Sequence, residues 1–467
     1  MSRTESRRLF LKQAALLGVG TLVSSAAAAC APKAAPTAAP AAPKAEQPTA
    51  KPAAATPAPK AAIELRFMDR GDAIGEASRH FSRVFEEQNP GITVKNESTA
   101  WADLMTKVPT FVAGGTMADV AFQHTPLMIP ELGAKGAWLD LTPLGERDKI
   151  DWAIYYPWAL DACRLGPKGE LIAGPESLHM GQNVCGWNKE MLAGFGFGVP
   201  SADMTLPDFV ELCTKIQTKM PEGGFATHMG NSEWDMEALS RTFNSYIISR
   251  DRKTCGFSQP KTQDALKWHY DLINKHKVIP GREQILKDQK SMFYGGMLAM
   301  VFNSPNNMWA GFTESVAGKF TLASCQMPHG GGMSLGTTPS INAYVVYGKT
   351  KYPEQSWALV RLLTSFEAAK WSAINKQIGP GSIIAAWNDP EVWKAGPIYE
   401  HTAKAWAKLT PETAGVIPCP LNTRRAEFHD YFNNEWAAIL FGDKPYDQAG
   451  VDKLQKELQA IMDKPLP

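Results

Sequence analysis

The stretch IELRFMDRGDAIGEASRHFSRVFEEQNPGITV, residues 63–94, decides the fold class of the chain. Ile63, Leu65 and Phe67 alternate with charged residues, which is the period-2 pattern of a half-buried strand. Apolar residues at helical spacing follow over residues 77–85, and an Asn-Pro-Gly turn ends that helix before a second short strand. Strand, helix and strand in this order predict an α/β unit.

The alternation of strand and helix continues through the body of the chain. Residues 118–122 predict a third strand, Thr205-Leu206-Pro207-Asp208 opens a helix with an apolar face, and residues 451–462 fit a last helix. Repeated alternation predicts open, mainly parallel sheets flanked by helices. Residues 63–467 are long enough for two such lobes at ~100–200 residues per domain. The expected fold is therefore two-lobed α/β.

The N-terminal region, residues 1–30, predicts export and attachment to a membrane. Arg7 and Arg8 lie in a twin-arginine signal, and the apolar stretch that follows is too short to be a permanent membrane helix. Small residues before Cys30 resemble a bacterial lipoprotein processing site, so we expect lipid on Cys30 and a place on the outer face of the cytoplasmic membrane. Because Ala27 stands where such signals favour leucine, cleavage to a soluble protein stays open.

Residues 31–62 predict a disordered tether between the signal and the folded body. They are almost only Ala, Pro, Thr and Lys, and offer too little apolar surface to offset the entropy of ordering. At ~3.1 Å per residue an extended tether of this kind reaches on the order of 100 Å. The sequence thus predicts a body held off a membrane.

Composition narrows the classes of function. The formal net charge is +1, which argues against nucleic acid because phosphate binding needs a concentrated basic face. The 14 tryptophans favour stacking on sugar rings or other flat ligands. No P-loop, dinucleotide fingerprint or H-E-x-x-H occurs, so no cofactor and no metal is expected.

Six cysteines remain besides Cys30, and they show neither a C-x-x-C pair nor metal-ligand spacing. They are Cys163, Cys185, Cys213, Cys255, Cys325 and Cys419. An exported protein could pair some of them, and the sequence leaves their pairing open. Cys213 falls on the apolar face of a predicted helix, which favours an inert buried thiol.

One catalytic motif has to be weighed. Residues 332–336 match G-x-S-x-G, the nucleophile elbow of hydrolases, with Ser334 as the nucleophile. That elbow needs a strand before it and a helix directly after it, whereas here a glycine-rich loop precedes it and the strand-like residues 341–347 follow. We therefore expect a protein that is not an enzyme, with the hydrolase and a tethered protein-binding surface as alternatives.

Several stretches resemble one family in their order and spacing. They are the opening unit at 63–94, the small-residue turn 113–120, Trp187–Leu192 with the following Gly-Val-Pro turn and helix, Gly295–Met300 before Asn303, and Lys351–Ala369. In this order the chain resembles the family 1 extracellular solute-binding proteins of ABC importers, the maltose-binding type, over nearly the whole body.

The resemblance implies two lobes, with ligand held between them and delivered to membrane ABC permease subunits. It places residues 63–180 and 332–370 in the first lobe, and residues 181–331 and 371–467 in the second. We expect a monomer that binds a small solute. Carbohydrate is favoured, and a charged or organophosphate solute held by Arg70, Arg424 and Arg425 is the alternative.

Open α/β sheets bind ligands beyond the carboxyl ends of their strands, so the candidate contacts lie at strand ends and crossings. They are Asp69, Arg70, Asp72, Gln123, His124, Gln182, Asn183, Trp234, Asp235, Asn303, Trp309, Asn422 and Arg424. The last two lie in a proline-bounded loop where the family that the chain resembles often has ligand contacts. The carboxylates, amides and arginines would hydrogen-bond hydroxyls or charged groups, and the tryptophans would stack.

Overall fold

The computed structural model describes residues 62–125, 129–166, 168–180, 184–198, 200, 204–285, 289–303, 318–326, 328, 339–375, 379–395 and 419–466. Residues 1–61, which hold the predicted signal and all but the last residue of the tether, lie outside the described residues, as do Gln182, Asn183, Trp309 and Ser334. The strands are β1 (Ile63–Met68), β2 (Ile92–Asn96), β3 (Val120–Thr125), β4 (Gly174–Met180), β5 (Val184–Asn188), β6 (Met300–Asn303), β7 (Leu322–Gln326) and β8 (Pro339–Val346).

Helices cover both sheets. They are α1 (Ala73–Gln88), α2 (Trp101–Ala113), α3 (Ile129–Ala134), α4 (Thr142–Arg147), α5 (Pro157–Cys163), α6 (Lys189–Gly194), α7 (Leu206–Gln217), α8 (Glu233–Thr242), α9 (Pro260–Asn274), α10 (Arg282–Ile285), α11 (Gln289–Tyr294), α12 (Pro353–Leu363), α13 (Phe366–Ile374), α14 (Ile384–Trp387), α15 (Pro390–Ala395), α16 (Arg425–Leu440) and α17 (Gln448–Met462). Within the described ranges, none of them is long and apolar enough to cross a membrane.

The opening unit folds as its periodicity predicts. In α1 the Asp72 side chain accepts a hydrogen bond from the Ile74 amide at the N-terminus, and Phe81 and Phe85 are buried against the sheet. Gly91 has a φ of +95°, which a residue without Cβ adopts freely, and it turns the chain into β2. β1 then pairs in parallel with β2 over five residues.

The first lobe is built on a five-stranded sheet of order β2-β1-β3-β8-β4. β1 is parallel to β2 and β3, whereas β8 is antiparallel to both β3 and β4. Its core includes Phe67, Phe122 and Tyr344, whose rings meet edge to face. These contacts fix β1, β3 and β8 as the centre of the lobe.

The second lobe has a three-stranded sheet of order β6-β5-β7, in which both neighbours run antiparallel to β5. Residues 225–228 run beside β6: the amides of Met300 and Phe302 donate to the carbonyls of Ala226 and His228 at 3.0 and 2.8 Å. Residues from α7, α8, α9, α16 and α17 form its core with Cys185 and Trp187 of β5.

The two-lobed α/β fold is confirmed, but the sheets are not mainly parallel: the first is mixed, and the three strands of the second are antiparallel. The reason lies in how the chain passes between the lobes. β4 leads through residues 181–183 into β5, and β7 leads through residues 327–338 into β8. In each lobe, the strands of the βαβ units end at the edge that faces the other lobe. A strand that arrives from the other lobe begins at that same edge. For this reason β5 and β8 are antiparallel to their neighbours.

The chain leaves the first lobe later than the sequence predicts. Residue 371 was the expected return to the second lobe, yet Ile383 and Trp387 are buried in the first core. The Ser382 amide donates to the Glu176 carbonyl at 2.8 Å, and Lys370 pairs with Asp389 at 3.0 Å. Helices α14 and α15 therefore extend the first lobe, because their apolar side chains find their partners on α13. Cys419 is again part of the second lobe, where its carbonyl accepts from Arg252.

Candidate functional site

Strands from both lobes end where the lobes meet, and this region is called the interlobe cleft. β1 and β3 of the first lobe run toward it and end next to Asp69 and at Thr125. In the second lobe β6 and β7 end opposite Val184, the first residue after the crossing from β4. The segment 225–228 is parallel to β6, so the chain that follows it enters α8 at the cleft. Strand ends are where open α/β sheets place ligand contacts.

Aromatic rings meet across this cleft. The His124 ring, at the end of β3, stacks on the Trp234 ring, in the first turn of α8, with centroids 4.9 Å apart and planes 23° apart. Trp101, at the start of α2, meets His124 edge to face at 5.4 Å. His124 therefore touches a tryptophan from each lobe, and its contact with Trp234 joins the lobes.

A guanidinium extends the ring array on the first-lobe side. The Arg70 Cζ lies 4.8 Å from the centroid of Trp101 and 5.6 Å from that of Phe122. Its Nε donates to a carboxylate oxygen of Asp72 at 3.1 Å. Arg70 is thus held by a cation–π contact and an ion pair at once.

A buried ion pair supports Trp234 from the second-lobe side. Trp234 leans on the His429 ring at 5.0 Å, and His429 Nδ1 lies 3.3 Å from Glu233 Oε2. Arg425 binds both carboxylate oxygens of Glu233, with Nη1 3.1 Å from Oε1. Burial would raise the pKa of Glu233, but the Arg425 and His429 contacts hold it below its usual value.

One face of α16 supplies these partners. Arg425, His429 and Asn433 are four residues apart, the spacing that places side chains on one side of a helix. Asn433 Oδ1 accepts from the Glu233 amide at 2.7 Å, and its Nδ2 lies 2.9 Å from His429 Nε2. If the Asn433 side-chain Nδ2 donates to His429 Nε2, then His429 carries its proton on Nδ1 and donates it to the Glu233 carboxylate. The network fixes the position of Glu233, the residue next to Trp234.

Asp235 serves as a helix cap. Its carboxylate accepts from the Ser232 amide at 3.0 Å and from the Ser232 hydroxyl at 2.6 Å, while its own amide donates back to that hydroxyl. This reciprocal pair is a capping box and begins α8. Burial raises the pKa of Asp235 to about 6. The cap sets the direction in which Trp234 leaves the helix.

Two further candidates are buried in the first lobe. Asp69 Oδ2 accepts from Arg79 at 2.8 Å, and burial raises the pKa of Asp69. The Gln123 amide is fully buried on β3 and has no partner among the described residues. Oδ2 of Asp69 is therefore bound to α1 while its Oδ1 has no partner among the described residues, and Gln123 keeps its hydrogen-bonding capacity one residue from His124.

The structure does not bring Asn422 and Arg424 to the aromatic rings. Asn422 Nδ2 donates to the carbonyls of Ile461 and Lys464 at 2.6 and 3.0 Å, and Arg424 Nε donates to that of Pro465 at 3.0 Å. Both hold the end of α17. Asn303 ends β6, and its side chain is outside the description.

Among the described residues, the sequence reasoning missed Trp101, Glu233 and His429 as members of the cleft network, and it named Arg425 only as a partner for an anion. For His429 and Arg425 the signal was the four-residue spacing on α16. An interior cavity of the first lobe, between α1 and α13, is a poor alternative, since its volume of about 20 Å³ admits a single water molecule. In the described part of the chain no cluster of three or more His, Cys, Asp or Glu residues could hold a metal.

Two α/β lobes joined by crossing segments, with rings meeting between them, define the class of two-lobed solute-binding proteins. The family model of the bacterial extracellular solute-binding proteins matches residues 69–370, and the chain belongs to this family. The predicted membership is thereby confirmed. The members of this family are binding proteins and not enzymes, and they act outside the cytoplasm. The alternative that Ser334 is the nucleophile of a hydrolase is therefore rejected.

Solved structures share the fold. The ABC substrate-binding protein Lmo0181 from Listeria monocytogenes, in complex with cycloalternan, has a TM-score of 0.74 and 21% identity, covering 86% of this chain and 99% of that one. Maltose-bound MalE3 of T. maritima has a TM-score of 0.70 and 20% identity, covering 86% and 100%. UgpB of Mycobacterium tuberculosis, in complex with glycerophosphocholine, has a TM-score of 0.74 and 16% identity, covering 86% and 98%.

Proposed function

We propose that this protein captures a small carbohydrate in the interlobe cleft and delivers it to an ABC importer. The observation that carries the proposal is the ring array that crosses the cleft from Trp101 through His124 to Trp234. Sugars present apolar C–H faces to such rings and hydroxyls to the polar groups beside them. The paired Arg70 and Asp72 supply a donor and an acceptor at the edge of the array.

The closed contact between His124 and Trp234 fits this role. Both rings leave rigid elements, a strand end and a capped helix start, so their positions are set before any ligand arrives. A sugar held between the lobes would lie either between the His124 and Trp234 rings or beside them. Closure around a ligand is then a hinge motion of one lobe relative to the other.

The charged-solute alternative finds less support in the arginines. Arg70 is paired with Asp72, Arg424 with Glu427, and Arg425 with Glu233. A bound anion would have to compete with a carboxylate at each position, and Arg425 is buried. The likeness to UgpB with glycerophosphocholine keeps an organophosphate as the second candidate.

Replacing Trp234 by alanine tests the proposal directly. We expect sugar affinity, measured by calorimetry, to fall roughly 10- to 100-fold, because one stacking face of the cleft is lost. Trp371→Ala is the matched control: Trp371 also stacks on a histidine, His80, at 4.1 Å, but both belong to the first lobe. Equal losses for the two variants, or none for either, would contradict a site at the cleft.

We further propose that the chain is exported by the twin-arginine signal at Arg7 and Arg8 and anchored through lipid on Cys30. The Ala/Pro-rich residues 31–62 would then tether the body within reach of a membrane permease. The predicted result is that the full chain, immobilised from solubilised membranes in the presence of sugar, retains permease subunits. Failure to retain them with and without sugar would remove the transport role, while leaving sugar binding intact.

A further inference from the structure

Two cysteines of the second lobe face each other across its sheet. In the antiparallel pair β5–β7, Cys185 lies directly opposite Cys325, and the two thiols are hydrogen-bonded. Opposite residues of antiparallel strands have Cα atoms about 4.5–5.5 Å apart. Disulfides span Cα separations of about 4.4–6.8 Å. The backbone is therefore already placed for a bond between them.

The other described cysteines are distributed differently. All six are free thiols, and all are buried. Cys163 belongs to the first lobe, Cys213 to α7, and Cys255 and Cys419 to loops of the second lobe. Among the described residues, only Cys185 and Cys325 are cross-strand neighbours in a sheet. Disulfides form and persist outside the cytoplasm, where members of this family act.

The pair occupies a mechanically important place. Cys185 is the second residue of β5, directly after the crossing at residues 181–183. Cys325 is the next-to-last residue of β7, just before the crossing at residues 327–338. A bond here would join the second-lobe ends of both crossings.

We propose that Cys185 and Cys325 form a modification site: outside the cytoplasm they form a disulfide that ties together the second-lobe ends of two of the interlobe crossings. The oxidant is a disulfide, either of low molecular weight or of an oxidoreductase. The first cysteine thiolate attacks one sulfur of this oxidant and expels its other sulfur as a thiolate. The second cysteine thiolate then attacks the mixed disulfide at the protein sulfur and releases the remaining thiolate. The two protein protons end on the released thiols, so two electrons pass from the protein to the oxidant.

Exposure decides which cysteine reacts first. Cys325 is 8% exposed and Cys185 is 1% exposed, so exchange starts at Cys325. The hydrogen bond to Cys325, together with burial, holds the pKa of Cys185 well above its usual value. Attack by Cys185 follows once the mixed disulfide has formed beside it.

Peptide mapping of the full chain tests the proposal. The protein is purified from the exported fraction and from material incubated with oxidised glutathione, then alkylated under denaturing conditions and digested. We expect a peptide pair linked through Cys185 and Cys325, two fewer alkylated thiols, and a Tm higher by on the order of 5 °C that dithiothreitol reverses. Alkylation of both cysteines in the oxidised protein would overturn the proposal.

Variants assign the bond. Cys213→Ala is the control, since Cys213 is buried close enough to Cys185 to affect its pKa, and this variant should keep the linked peptide and the Tm rise. Cys325→Ala should lose both. A link between Cys185 and Cys213 in the wild-type protein would overturn the proposal. The peptide map of the wild-type protein shows by itself whether Cys185 and Cys325 are linked. The proposal can therefore be rejected even if Cys325→Ala folds poorly.

Discussion

His228 and His269 are buried in the second lobe, and His228 ends the segment that leads to α8 and Trp234. Gln289 lies 2.9 Å from His228 Nδ1 and 3.1 Å from the Phe302 carbonyl, which ties that segment to β6. Burial lowers the pKa of His228 to about 4 and that of His269 to about 3. Both imidazoles are therefore neutral in the folded protein at neutral pH.

This burial predicts a loss of stability in mild acid. A histidine whose pKa is depressed by folding binds its proton in the unfolded chain first, so stability falls as the pH drops from about 6.5 to the folded pKa. For His228, with a folded pKa of about 4, the loss amounts to roughly 3 kcal/mol. The predicted result is that urea unfolding between pH 6.5 and pH 4 has a smaller pH slope in His228→Gln than in the wild type.

Asp235 has the opposite effect on the pH dependence of stability, so the wild type and His228→Gln have to be compared with each other. Its pKa is raised by folding to about 6, so its contribution to stability is complete in acid and is lost as the pH rises from about 4 to about 6. Asp235 is present in both the wild type and His228→Gln, so its contribution cancels when the pH slopes of the two proteins are compared. A slope that His228→Gln does not reduce would contradict the burial argument.

At the scale of elements, local pattern predicted what depends on local contacts. The alternation of β1, the apolar face of α1 and the Thr205–Asp208 start of α7 are confirmed, the last with a capping box and proline in its first turn. The directions of β5 and β8 and the docking of α14 and α15 on α13 were not predictable. They depend on how the chain crosses between lobes and on partners distant in sequence.

The candidate site shows the same division. Strand-end reasoning selected His124 and Trp234, and the structure brings these two rings together. It also selected Asn422 and Arg424, whose side chains bind carbonyls at the end of α17, a contact with no sequence signature. Trp101 and His429 went unselected because no predicted strand end or crossing marks their positions, and only the folded chain shows which helix faces border the cleft.

On the scale of the whole molecule, the buried apolar side chains form two clusters, and the first also includes Met292, Phe293, Leu298 and Val301 from the second-lobe part of the chain. The first core is centred on Phe67 and Phe122, and the second on Phe209 and Trp436. Packed cores resist deformation, so relative motion takes place between the lobes rather than within them. A ligand that touches both His124 and Trp234 would stabilise the closed arrangement by its contacts with each lobe.

In the proposed function, this cleft binds a neutral sugar by stacking rather than an anion by charge. Calorimetric titration of the full chain with a panel of sugars and organophosphates, at about 0.05 M and about 0.5 M salt, tests it most directly. We predict that a sugar binds with an affinity that changes less than about threefold between the two salt concentrations, because screening acts on charges. Binding of an organophosphate alone, weakened strongly by salt and unchanged in Trp234→Ala, would contradict the account.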